Sequence, residues 1–459
     1  MATCRVGTPL RGGGPSRVYF LPVAGIALLA LAQCAPAPRS GEREPLISVG
    51  LVTGAQSSSF RLTKPATLLL DGEAAGSLSE GTYRIRLEKP LHRGTASREE
   101  ISSGRNASTA SGLRLVLLDE RGRKAGEAQQ AISLRNGDLV FLGRSGRRRQ
   151  DRVYPGRVDF LLWRGQMAIV NRLPLEEYVR GVLLAEISPK SPQEALRAQA
   201  IAVRSMALSQ RRQAHAGAPF ELCADWHCQV YAGVPLDKSP VDEAVKTTRG
   251  MVLYSGGTVI QALYSANCGG HTESAARAWR GSRLDYLRGV LDGPQDVDPD
   301  LTKERILEQW VLGKPDVFCK DSPRGHFRWT RVIKASVLKT RLERMLGRTV
   351  GDVLELAVLR RGVSGRAFRI QITTTEGNFQ VDGELRIRHL LAQPALPSSC
   401  FAVEVREGGA GREFVLHGAG FGHGVGLCQD GAAAMAKRGY RYWEILAHYY
   451  PGTRLLQIY

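Results

Sequence analysis

Several signatures are missing from this chain of 459 residues. It has no Walker-type GK-S/T loop, no zinc-finger spacing and no RNA-recognition aromatic pair, which argues against nucleic acid as a partner. It has no G-x-G-x-x-G order between a strand and a helix, which argues against dinucleotide binding. Repeats of about 20 to 50 residues are absent, so a solenoid is not expected. Long apolar runs are absent too: the run from Val18 to Ala32 is too short to span a bilayer. Acidic residues are scarce, with Asp and Glu numbering 44 against 63 Lys and Arg, a formal net charge of +19. A basic surface suits an anionic polymer, an acidic lipid surface or a cell-wall polymer, though an arginine-rich proteome would leave the same mark.

What is present begins with an export signal. Arg5, Arg11 and Arg17 precede the apolar run, small residues follow, and Ala35-Pro36-Ala37-Pro38 reads as an extended exit into a mature domain. Residues 1–34 are therefore expected to be a signal peptide. Leu31-Ala32-Gln33-Cys34 resembles a lipobox, whose cysteine would carry a lipid anchor; Gln33 departs from the small residue preferred there, and ordinary cleavage near Ala32 is the alternative. Both routes place the mature protein outside the cytoplasm, periplasmic or attached to the cell envelope, where disulfides can form.

The mature chain divides by composition. Residues 35–150 read as a β-rich region, with alternating runs between Glu44 and Leu87, at Leu113 to Leu118 and at Leu139 to Leu142. Polar loops are expected at His92 to Ser111 and at the basic run Arg144 to Arg152. Residues 151–459 form the second region, in which two strands between Val158 and Val170 lead into helices. Strand-rich segments bracketing helices, without regular βαβ alternation, indicate an α+β fold.

The first helix carries the most telling side chain. Leu175, Val179, Val182 and Leu183 fall at the i, i+4, i+7, i+8 spacing of an apolar stripe. The next position on that stripe is Glu186. A carboxylate there must find partners or take up a proton, because burial disfavours its charge. Its place at the C-terminal end of the helix pushes the pKa further upward. A glutamate protonated near neutral pH is what a general acid requires; the simpler alternative is an ion pair with a residue such as Arg204. Pro174 opens this helix and Pro189 stops it. Ser191-Pro192-Gln193-Glu194 reads as a capping box opening a second helix. Glu176 and Glu177 lie off the stripe and read as solvated charges.

Cysteine and histidine cluster in CADWHCQVYAG and SANCGGHT, which hold Cys223, His227, Cys228, Cys268 and His271. This set suits tetrahedral zinc, and His215 could add a ligand. A Cys223–Cys228 disulfide and a set of buried free thiols are the alternatives. Cys319, Cys400 and Cys428 are scattered. Near the C-terminus, glycines at 418, 420, 422, 424 and 426 alternate around His423, a density that permits positive φ and close approach to a ligand or a strand. Gln429 to Lys437 should be helical, with Gly439 as its cap, and Tyr442 to Tyr450 should form a short last helix. Tyr449 and Tyr450 read as core residues.

Taken in order, LPLEEYVRGVLLAEI, ALRAQAIAVRSMAL, HCQVYAG, YSANCGGHTESA, SGRAFRI, VDGELRIRHLL and GHGVGLCQDGAAAMAKRGYRYWEILAHYYPGT resemble the SpoIID/LytB family of bacterial cell-wall proteins. The resemblance covers Val158 to Leu455, is loose over residues 292–350 (an insertion or a divergent lobe), and departs at Cys428, where serine is more usual. It implies peptidoglycan glycan strands, stripped of stem peptides, as substrate for lytic transglycosylation, with Glu186 as the catalytic acid/base. The LytB branch implies instead a non-catalytic stimulator of a cell-wall amidase. Members with the C-x-x-x-H-C segment look like zinc binders, and members without it imply that such a metal is structural and not needed for catalysis. Gln229, Tyr231, His423 and Gln429 are the candidate contacts to sugar hydroxyls and N-acetyl groups; for His423 the alternative is a tight-turn histidine satisfied by backbone groups.

Overall fold

The computed structural model describes residues 43–89, 112–142, 152–211, 214–235, 237–278, 284–294, 297–409 and 411–459. The expected signal peptide with Cys34, the whole polar loop from His92 to Ser111 and nearly all of the basic run at Arg144 to Arg152 lie outside the described residues. Among the described residues no helix is long and apolar enough to cross a membrane.

The fold is α+β, and its first part is built from strands. A seven-stranded sheet holds Leu46–Ala55, Gln166–Pro174 and Arg157–Trp163 side by side, and a five-stranded sheet includes Ser57–Leu62 and Gly81–Glu88. Alternating apolar residues of both sheets meet in one core, with Phe60, Ile85 and Leu117 from one and Ile132, Phe160 and Ile169 from the other. The antiparallel pairing of Leu46 with Pro174 brings the end of Gln166–Pro174 beside the start of Leu46–Ala55. There the chain turns directly into the first helix, and the Leu175 N–H donates to the Pro45 carbonyl at 2.9 Å.

Helix α1 is Leu175–Glu186, α2 is Gln193–Gln210 and α3 is Pro240–Thr247. The predicted stripe is inside: Leu175, Val179, Val182 and Leu183 are each 0% exposed. They pack on Leu196, Ala200 and Val203 of α2 and on Val241 and Ala244 of α3. The opposite face of α2, through Ala195, Ala198 and Ile201, packs on Val425, Leu427, Met435 and Ile445. Small residues on both faces of α2 allow this double burial, so α2 joins the sheet side of the molecule to its C-terminal part. The C-terminal helices are Gln429–Lys437 and Tyr442–Tyr449, as the sequence indicates, with Gly439 in a left-handed conformation (φ 92°) just past the first.

Two local expectations are corrected. The start of α2 is not a capping box: Pro192 is the N-cap and makes no side-chain cap bond. Glu194 instead pairs with Arg197 at 2.6 Å and accepts the Tyr442 N–H at 2.8 Å. Nor is Glu176 a solvated charge. It accepts two hydrogen bonds from Arg204, at 2.9 and 2.6 Å, and one from the Gly250 N–H at 3.1 Å. Arg204 is itself 0% exposed, a buried cation whose charge a carboxylate must balance. Glu177 keeps 43% of its side chain exposed, as expected of a surface residue.

Candidate active site and cysteine–histidine clusters

Glu186 is the last residue of α1, and Ile187 beyond it is already extended. Because Arg204 belongs to Glu176, the simple ion-pair alternative for Glu186 is not realised. The Glu186 Oε1 accepts a hydrogen bond from the Val230 backbone N–H at 2.9 Å. Burial raises the carboxyl pKa above its ordinary value, and the Val230 bond offsets part of that rise. No second carboxylate figures among the causes of the shift.

The segment around Val230 is held by aromatic packing and hydrogen bonds. Tyr231 lies against α1, its ring centroid 5.4 Å from that of Tyr178. Gly181 makes this possible, since a Cβ there would come within 2.4 Å of the Tyr231 ring. The Tyr231 hydroxyl donates to Asn171 Oδ1 at 2.8 Å, and its backbone N–H to the Ala224 carbonyl at 3.0 Å. Gln229 sends its Nε2 toward the Val203 carbonyl at 3.3 Å and the Tyr178 hydroxyl at 3.4 Å. Its Oε1 accepts from the Tyr264 hydroxyl at 2.9 Å.

Tyr264 links this segment to the glycine-rich loop. Residues Tyr264 and Ser265 pair in parallel with Leu427 and Cys428, and the His423 ring hydrogen-bonds the Tyr264 backbone. Nδ1 of His423 accepts the Val425 N–H at 3.0 Å. Desolvation, aided by the positive charge of Arg366, pushes the imidazole down to about 4, so it is neutral at neutral pH. The glycine alternation has a steric reason. A Cβ on Gly426 (φ 75°) would lie 2.0 Å from the Leu263 carbonyl oxygen, and one on Gly424 (φ 74°) 2.3 Å from the Arg366 guanidinium.

The candidate sugar contacts therefore separate. Gln229 and Tyr231 are 2% and 3% exposed, with their polar atoms engaged internally. This corrects their expected role: they position the Glu186 segment and do not present groups to a ligand. His423 is half-buried, and Gln429, at 8% exposed, sits at the start of Gln429–Lys437. Tyr264, which joins the two halves, was not singled out from the sequence, although YSANCGGHT contains it.

The expected five-residue metal set also divides. The ligand atoms of His215, Cys223, His227 and Cys228 all lie within 4.8 Å of one another. His215 Nε2 is 3.3 Å from Cys228 Sγ, and His227 Nδ1 is 3.8 Å from Cys223 Sγ and 3.6 Å from Cys228 Sγ. Zn–S bonds of about 2.3 Å and Zn–N bonds of about 2.0–2.1 Å would give tetrahedral edges of roughly 3.3–3.8 Å, so the four residues fit such an ion. The two cysteines are free thiols and not a disulfide. The correction concerns Cys268 and His271. His271 is buried with Nε2 2.9 Å from Asp298 and Nδ1 2.7 Å from the Thr272 carbonyl oxygen, while Cys268 faces Asp292, Cys319 and Cys428.

A family profile described as Stage II sporulation protein matches residues 163–254, and one described as a domain of unknown function matches residues 273–426. An uncharacterized protein of Brachyspira hyodysenteriae is 30% identical over 318 residues, covering 69% of this chain and 76% of that protein. The Stage II sporulation protein D of Bacillus subtilis is 26% identical, covering 65% of this chain and 79% of that protein. The amidase enhancer of Bacillus subtilis is 25% identical over 60% of this chain, which spans 40% of that relative's length.

Proposed function

The chain belongs to the SpoIID/LytB family, and on that footing we propose that it is an exported cell-wall protein that cleaves peptidoglycan glycan strands by lytic transglycosylation. Glu186 is the acid/base. The observation that carries the reading is a carboxylate at the end of an apolar helical stripe, raised in pKa by burial and held by one backbone amide.

A hydrolase acting on this bond needs two carboxylates, one of them serving a water or a covalent intermediate. A lytic transglycosylase needs fewer protein groups, because the C6 hydroxyl of N-acetylmuramic acid attacks its own C1. In the proposed reaction, protonated Glu186 donates to the glycosidic oxygen as the bond to C1 breaks. The resulting carboxylate accepts the proton of the C6 hydroxyl as that oxygen bonds C1, leaving a 1,6-anhydro end. Neutral His423, bonded to the Val425 N–H and to the Tyr264 backbone, would hold the glycine-rich loop in shape without adding charge.

The Cys223, Cys228, His215 and His227 set would hold a structural zinc ion, which when bound would supply a fixed tetrahedral anchor. Cys228 lies two residues before Val230, so the anchor would stiffen the segment that holds Glu186. No chemical step passes through it.

The likeness to the amidase enhancer supports a second reading, in which the same fold binds glycan strands and stimulates an amidase without cutting them. The two readings separate on the Glu186→Gln protein. Loss of strand cleavage supports the enzyme, whereas undiminished amidase stimulation by a protein that never cleaves supports the enhancer.

A further inference from the structure

We propose that Cys268, Asp292, Cys319 and Cys428 form a second metal site, separate from the first, that takes one thiophilic divalent ion such as zinc in tetrahedral coordination. Their ligand atoms all lie within 4.8 Å of one another. Cys268 Sγ is 3.7 Å from Cys319 Sγ and 3.2 Å from Asp292 Oδ2. A tetrahedral zinc with Zn–S bonds of about 2.3 Å would set its sulfur atoms about 3.8 Å apart, so the thiols already stand near that spacing.

The setting of the four side chains favours coordination over a nest of idle thiols. Cys268, Cys319, Cys428 and Asp292 are no more than 1% exposed. A carboxylate buried to that degree must find a compensating charge or take up a proton. Asp292 accepts a hydrogen bond from the Tyr449 hydroxyl at 2.6 Å, and Cys268 Sγ faces its other oxygen. The nearby His448 Nε2 stands 3.9 Å from Oδ1 and has no hydrogen-bond partner of its own. A divalent ion would supply the missing charge.

Cys428 is prepared for a thiolate. It caps Gln429–Lys437, and its Sγ accepts backbone N–H bonds from Cys268 at 3.2 Å and Gly431 at 3.4 Å. Helix N-termini and amide donors stabilise sulfur anions, and hydrogen bonds of this outer kind orient metal ligands. The Tyr449 hydroxyl does the same for Asp292. Packing is tight enough that a Cβ on Gly431 would lie 2.6 Å from the Asp292 carboxylate. The ion would tie together the loop at Cys268, the turn at Phe318–Asp321 and the helix that follows the His423 loop.

Metal content per chain, measured by inductively coupled plasma mass spectrometry on the full chain purified with a mild reductant, tests this. Two ions are expected in the native protein and one in Cys223→Ser/Cys228→Ser, which lacks the thiolates of the other site. Cys319→Ser should likewise drop from two ions to one. If that variant fails to fold, the native stoichiometry and the double variant still decide. One ion in the native protein with none in Cys223→Ser/Cys228→Ser overturns the proposal. So does a disulfide joining any two of Cys268, Cys319 and Cys428 in peptide mapping of protein prepared without reductant.

Discussion

The Val230 amide donates to the Glu186 carboxylate at 2.9 Å across 44 positions of sequence. Two independent anchors meet at that bond. The apolar stripe of α1 fixes the carboxylate, while Tyr231 packing and the Cys228 neighbourhood fix the amide. A general acid gains from this arrangement, because burial favours the protonated carboxyl while the amide keeps it in place.

Removing the acid should abolish cleavage without harming the fold. General acid–base groups contribute roughly 10²–10⁴-fold, so Glu186→Gln is expected to lose at least about 100-fold in strand cleavage. The amide oxygen of glutamine can still accept the Val230 N–H. Thermal unfolding at pH 7 should show a Tm equal to or above that of the native protein; a marked fall would mean that Glu186 is structural.

The raised carboxyl also fixes a sign with pH. A carboxyl whose folded pKa lies above its unfolded value binds its proton more tightly when folded. Its contribution to stability is then fully present below the ordinary glutamate value of 4.5 and is lost as pH rises through the higher folded value. Cleavage that needs protonated Glu186 should fall over that same upper limb. Denaturant unfolding from pH 4 to 8 should show a shallower decline of stability with rising pH for Glu186→Gln than for the native protein.

Gly181 is the tightest point of the support. Gly181→Ala would press a methyl group to 2.4 Å from the Tyr231 ring and force the 228–231 segment to shift. Overpacking of this kind costs about 1–3 kcal/mol. The expected result is a lowered Tm together with a cleavage loss larger than the fall in folded fraction explains. Equal losses in both would show that the segment does not set Glu186.

Glu176 tests the structural role assigned to it. In Glu176→Ala the buried Arg204 loses its carboxylate, and breaking such a pair costs about 3–5 kcal/mol. Urea unfolding should show a midpoint shift of that size. A shift near zero would contradict the buried pairing.

How far these features were legible in the sequence depended on their range. The α1 stripe, the C-terminal helices and Glu186 could be read from periodicity, because a helix repeats its environment every few residues. The Glu176–Arg204 pair could not be read: 28 positions separate them, and which carboxylate meets the arginine depends on how α1 packs on α2. Gln229 and Tyr231 share their motif with metal ligands, and only burial shows that they face inward. Cys428 looked scattered because a parallel strand pair at Tyr264 and Leu427 brings it beside the Cys268 segment.

The most direct test is product analysis. Peptide-free glycan strands incubated with the mature protein, residues 40–459, and examined by mass spectrometry should yield 1,6-anhydro-muramic ends, and Glu186→Gln run alongside should yield none. Strand binding without any anhydro product from the native protein would contradict the transglycosylase assignment and leave the amidase-enhancer reading in its place.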